Sequence, residues 1–332
     1  VQSVPGWIVI LLSALIVVAQ QTPLPTKTDV PPAAEVTPTV DETATEETPV
    51  NLAPEALPFR TRSQEDLQVI TGNVQRPNGM VWHDGKLYIA CTGDWTIYEV
   101  DDTTGTTRTY ISGVRNTHQM VAEVDTRGEL VIWAPDFDAN LLWNVIRTRS
   151  PQSVAADIDR AWGIVRLDEN GFLVSSMAQD EILMVSNSGD TRTVVDGLRA
   201  PAGLALDDDR VYVANSGGSR RSIEWLPKQD VIDNAAVVPQ PLVRGLQNTS
   251  NLVVAPDGYL YFTYSVGSRG VVGRVDARRC AEDGGCENDA VEVVVYTDLP
   301  APLAGLTFSD DMRLFVHTMF RPEVYWVSLA DE

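Results

Sequence analysis

The chain has 332 residues, with 46 acidic against 25 basic side chains and a net charge of −21. At 44% apolar and 21% charged it has the composition of a globular protein. An acid surplus this large excludes polyanionic partners. A nucleic-acid binder needs a basic footprint to displace counterions, and the sequence holds no such cluster.

In chain order, Val4–Ala19 is an uncharged apolar run. It falls short of the ~20 residues of a membrane span and slightly exceeds a signal-peptide core of ~7–15. Residues 1–20 therefore read as a signal peptide or an N-terminal membrane anchor. Either one sends the rest of the chain out of the cytoplasm. Residues 21–57 shift to Pro, Thr, Val and Glu. Proline fixes φ, the acids repel and little is left to pack, which predicts a disordered linker or stalk.

From residue 58 to 332 the chain repeats. Each of six segments holds a short apolar strand, a tight turn and a β-rich second strand, anchored at Gly79, Gln119, Gly163, Gly203, Asn251 and Gly305. The anchors step by 40, 44, 40, 48 and 54 residues. Turns such as Asp84-Gly85 and Asn170-Gly171 suit hairpins that need positive φ. Third and fourth strands follow, which is the make-up of a propeller blade. The last repeat lacks a fourth strand. The segment Leu67–Val74, which matches the strand leading into the fourth repeat, is expected to supply it and close the ring. The fold class is an all-β, six-bladed propeller of four-stranded blades.

These residues also carry a resemblance. Arg76-Pro77-Asn78-Gly79-Met80 with Asp84-Gly85-Lys86-Leu87-Tyr88-Ile89-Ala90, repeated as Pro256-Asp257-Gly258-Tyr259-Leu260-Tyr261, is similar to the six-bladed NHL, regucalcin/gluconolactonase and streptogramin-lyase group. The resemblance implies a divalent metal at the channel mouth, with Asn78 matching one ligand. Ala202 stands where a ligand Asp is expected, and Tyr264 where the lyases have a Glu.

The loops between second and third strands and the entrances of the inner strands share one face of a propeller. His118 and His317 fall there as candidate general bases or metal ligands. Asn78, Trp162, Asn251 and Tyr264 are the candidate ligand-binding residues around them. On the rim, Asp94, Asp136, Asp138, Asp180 and Glu181 fall on blades one to three. Arg220, Arg221, Arg269 and Arg321 fall on blades four to six, so a bipolar rim that orients a ligand is expected. His83 is expected to be exposed in a hairpin turn on the opposite face. Asp136, Asp138 and Asn140 have the opening spacing of a calcium loop without its glycine and distal Glu, so calcium or another divalent cation is the candidate cofactor. Cys280 and Cys286 flank a short glycine-bearing loop and predict a disulfide, while Cys91 is expected buried and free.

The sequence therefore predicts an extracellular or surface-tethered, monomeric propeller that binds a small molecule or an extracellular protein at the histidine-bearing face. The alternative is a metal-dependent lactone or ester hydrolase of the gluconolactonase type with a degenerate metal site. Nucleic acid is excluded, and membrane contact is confined to the N-terminal segment.

Overall fold

The apolar runs are continuous because the middle strands are buried on both faces. Phe172, Leu173 and Val174 follow one another with no exposed surface, as expected where sheets stack on either side. The computed structural model describes residues 60–218 and 221–330. The apolar run and the linker lie outside the described residues. Among the described residues no helix is long and apolar enough to cross a membrane.

Strands β1 (Arg62–Ser63) and β2 (Gln68–Thr71) precede blade one, which is β3 to β6 (Pro77–His83, Lys86–Cys91, Thr96–Asp101, Thr107–Ser112). Blade two is β7 to β10 (Val121–Val124, Leu130–Asp136, Leu141–Ile146, Gln152–Ala156). Blade three is β11 to β14 (Ala161–Asp168, Gly171–Ser176, Glu181–Ser186, Thr191–Val195). Blade four is β15 to β18 (Pro201–Leu206, Arg210–Asn215, Ile223–Pro227, Gln240–Val243). Blade five is β19 to β22 (Leu252–Val254, Leu260–Val266, Arg269–Val275, Glu292–Pro300). Blade six is β23 to β25 (Leu303–Phe308, Arg313–Thr318, Val324–Ser328), with β2 as its fourth strand. Gln68 pairs with Trp326 and Val69 with Tyr325, so the ring closes as the repeat predicts.

Two features go beyond the repeat. Strand β1 adds in parallel to the outer edge of blade five, pairing Arg62 with Val295 and Ser63 with Tyr296. One short segment thus covers the open edge of one blade and completes the next. The two long repeat steps hold short helices between third and fourth strands, α1 (Lys228–Ile232) and α2 (Ala277–Glu282). Asp276 caps α2 by accepting from the Arg279 amide.

The core is divided among the six seams between adjacent blades. Tyr88 and Tyr110 of blade one meet Ile132 and Val145 of blade two. Ile164, Phe172 and Val174 of blade three meet Val131 and Leu142 of blade two. Phe315 and Val324 of blade six meet Leu87 and Ile89 of blade one, sealing the join. Trp143, Trp225 and Trp326 lie half-buried against these clusters, as expected of third-strand packing. Ion pairs tie the seams on the face opposite the histidines. Arg313 reaches Asp102 at 2.8 Å, and Asp102 also accepts from Trp82 Nε1 at 2.6 Å. Arg166 holds Glu123 across the second seam in the same way.

Candidate functional site

The inner strands enter the ring at one end of the channel. Their third residues pack so closely that a side chain is excluded at Gly79, Gly163, Gly203 and Gly305. A Cβ on Gly305 would lie 2.4 Å from His317 Nε2 and 3.1 Å from the Asn78 carbonyl. His317 is fully buried in β24, opposite Gly305 in register, so its imidazole fills the space that glycine leaves and points toward blade one. Neither ring nitrogen has a partner at hydrogen-bonding geometry. Burial pushes the His317 pKa down to about 4, against the opposing pull of the Thr318 and Asn78 backbone.

Asn78 is the hinge of the mouth. Its side chain is fully buried, and Nδ2 donates to Asn116 Oδ1 at 2.6 Å and lies 3.5 Å from His118 Nε2. Its Oδ1 has no partner. His118 is stacked on Trp162, with 3.4 Å between ring centroids and 8° between planes. Phe137 meets both rings edge-on, at 5.3 and 5.7 Å, and Arg160 lies 5.6 Å above Phe137. Burial alone drives the His118 pKa down to about 3, so its ring is neutral near pH 7. Trp162 Nε1 is buried without an acceptor, as are the hydroxyls of Thr117 and Thr249 without partners. Asn78 thus keeps an unused acceptor and Trp162 an unused donor, both buried, and the neutral imidazole of His118 touches both residues.

Two further side chains join the inner strands, one across the channel and one between neighbouring blades. Gln119 Oε1 accepts from the amides of Ile164 and Leu204 at 3.1 and 3.0 Å. Its Nε2 donates to the carbonyls of Leu204 and Leu252 at 2.6 and 3.4 Å. Asn251 Nδ2 donates to Leu303 and Ala304 carbonyls at 3.2 and 3.0 Å. Asn251, a candidate ligand residue, thus ties blade five to blade six. Gln119 was missed, although the sequence signals it. Gln119 and Asn251 are the two repeat anchors that are not glycine; Gln119 bridges the channel, and Asn251 joins neighbouring blades.

The other predicted residues are dispersed. Tyr264 is buried against Phe262 and borders a separate cavity of about 290 Å³ with Gln247, Ser265 and Asn288. Asp136 is buried, and its carboxylate accepts from the amides of Arg115, Asn116, Asp138 and Ala139 and from Trp143 Nε1. Asp138 accepts from Asn116 Nδ2, and Asn140 Oδ1 from the Arg160 amide. The Asp-x-Asp-x-Asn run is thus a turn whose oxygens are taken by the protein itself. Among the described residues no three His, Cys, Asp or Glu side chains are grouped to hold a metal.

The bipolar rim needs correction as well. Arg221 is neutralised by buried Glu224, and Arg269 pairs with Asp298. Arg321 is exposed, and Arg220 lies outside the described residues. His83 is half-buried at the end of β3 rather than exposed. Cys280 and Cys286 form the expected disulfide. Cys91 is free and buried, and burial foremost pushes its thiol pKa up to about 12, which leaves no nucleophile.

No family model matches the chain, and no curated protein matches it. Solved structures do. A gluconolactonase from Xanthomonas campestris is similar over 78% of this chain and 88% of that chain, at 15% identity and a TM-score of 0.61. A streptogramin B lyase is similar over 78% of this chain and 96% of that chain, at 15% identity and a TM-score of 0.56. A catalytically inactive histidine-to-alanine variant of virginiamycin B lyase from Staphylococcus aureus, solved with quinupristin, is similar over 76% and 81%, at 14% identity and a TM-score of 0.50. At these identities the likeness is one of fold: the chain is a six-bladed β-propeller of the architecture that gluconolactonase and streptogramin B lyase share.

Proposed function

We propose that this propeller binds a small, uncharged polar molecule at the channel mouth formed by Asn78, His118 and Trp162. One observation carries the reading: Asn78 Oδ1 and Trp162 Nε1 are buried without partners on two residues that both touch the neutral imidazole of His118. Unmade hydrogen bonds of this kind cost about 1–3 kcal/mol each. A ligand offering both a donor and an acceptor would satisfy them. Hydroxylated lactones and cyclic amides have that pattern. The compartment we propose is extracytoplasmic, and the Cys280–Cys286 disulfide supports it.

A second reading, ring-opening hydrolysis of a lactone or ester, is favoured by the orphaned Asn78 oxygen. That residue also matches a metal ligand in the resembling lactonases. An oxygen cage for calcium does not fit this mouth, because Asp136 is saturated and Ala202 has no side-chain oxygen, its carbonyl already accepting from Ser175 Oγ. Thermal melts of the full chain in EDTA, with added manganese, zinc or calcium, and with a lactone panel test both readings. A lactone-dependent rise in the midpoint, lost in Trp162→Phe, is expected for the binder. Turnover that needs a metal would favour the hydrolase. No shift with any lactone or metal would refute both.

A further inference from the structure

Three equivalent turns join the second and third strands of blades one, two and three, and each ends on a residue with positive φ. Trp95 has φ 57°, Asn140 56° and Asp180 56°. The carbonyl does the same work in all three, accepting from Gly113, Ile158 and Leu198. Asn140 and Asp180 suit the position. Both types tolerate the left-handed region, and their side chains also accept from the Arg160 and Ala200 amides at 2.9 and 2.7 Å. Trp95 does neither. A bulky aromatic pays strain there, and its side chain is 53% exposed. The Trp95 side chain accepts no backbone amide in return for that strain, which points to a use outside the fold.

The surroundings suggest that use. Arg115 lies 5.4 Å over the Trp95 ring. The Asn73–Arg76 link packs on this turn through the Thr92 and Gly93 amides, and Arg76 is exposed. On the far side of the link is the blade-six turn, where a Cβ on Gly72 would touch Glu323 Cγ at 4.0 Å. That turn exposes Phe320, at 60%, and Arg321. Two carboxylates border the three arginines: Asp94, which accepts from the neutral Tyr98 hydroxyl, and Glu323, one of whose oxygens is buried. Arg76, Arg115 and Arg321 make no ion pair among the described residues, on a chain whose net charge is −21.

We infer that Trp95, Phe320 and these three arginines form a docking surface for a protein partner that presents acidic side chains around an apolar one. Exposed Trp and Arg on one rim are the residue types that dominate protein interfaces, and the local charge selects the sign of the partner. The surface borders the channel mouth: Arg76 stands two residues before Asn78, and Arg115 is next to Asn116, which accepts from Asn78.

The test uses the full chain as bait for a displayed library of 12-residue peptides. Enrichment of peptides with Asp or Glu beside apolar residues is expected. Their affinity should fall at least tenfold in Trp95→Asn and severalfold in Arg76→Ser, with no change in Arg149→Ser. Trp95→Asn should melt at or above the parent temperature, because asparagine serves the same position in blade two. Peptides indifferent to Trp95, or capture of polygalacturonate without acidic peptides, would overturn the inference. So would a Trp95→Asn midpoint several degrees lower, which would make the residue structural.

Discussion

The imidazole of His118 lies flat on the indole of Trp162, 3.4 Å between centroids, and this contact joins blades two and three at the channel mouth. It also leaves Trp162 Nε1 buried with no acceptor. Trp162→Phe should keep the stack and remove the orphaned donor. The ligand-free protein should then be as stable as the parent or about 1 kcal/mol more so, while ligand affinity is lost. Trp162→Ala should cost about 2–4 kcal/mol through the lost stack and the cavity. Denaturant melts of the two variants measure the difference.

Acid should weaken the fold through its buried histidines. His118 and His317 have folded pKa values near 3 and 4, below the ordinary 6.5, because burial penalises their charged forms. As pH falls past 6.5 the unfolded chain takes up protons that the folded chain refuses. Stability is therefore full above about pH 7 and is lost from pH 6.5 down to about 4 for His317 and about 3 for His118, by up to about 1.4 kcal/mol per pH unit per histidine. His118→Gln and His317→Gln should each flatten that limb in melts run from pH 7.5 to 4.5. An unchanged slope in both would show that the rings are not buried neutral.

Gly305 should not tolerate a methyl group. Gly305→Ala would place a carbon 2.4 Å from His317 Nε2, and we expect a loss of about 1–3 kcal/mol. His317→Ala in the same chain frees that space. The double variant should then recover part of the loss, a coupling that a double-mutant cycle reads directly.

Gln119 should matter more to stability than its place at a channel suggests. Gln119→Ala strands the Ile164 and Leu204 amides, and we expect about 2–4 kcal/mol of destabilisation in urea. A loss below 0.5 kcal/mol would mean that water replaces the amide without cost.

Reduction of Cys280–Cys286, which closes a loop with a sequence separation of 6, should lower stability by about 2 kcal/mol. Cys286→Ser should reproduce the loss, and reductant should then have no further effect.

Six repeats, four strands in each and closure by the segment before Pro77 were legible in the sequence. They depend on local alternation and turn residues, and a strand such as Phe172–Val174 carries its own burial pattern. The disulfide was legible for the same reason, since a few residues of chain fix its geometry. The parallel addition of β1 to blade five was not, because two residues carry no period. The sequence also brought Asn78, His118 and Trp162 to one mouth through their shared place in the repeat.

What each of those side chains does there was decided only by the tertiary structure. Asn251 and Asp136 have the same polar character as Asn78. Yet Asn251 is spent on the carbonyls of blade six and Asp136 on the donors around its own turn, while Asn78 keeps one oxygen unpaired. A repeat fixes where a residue stands in its own blade. The hydrogen-bond partners that decide its role include groups 21 to 133 residues away in the chain, and no local pattern encodes that distance.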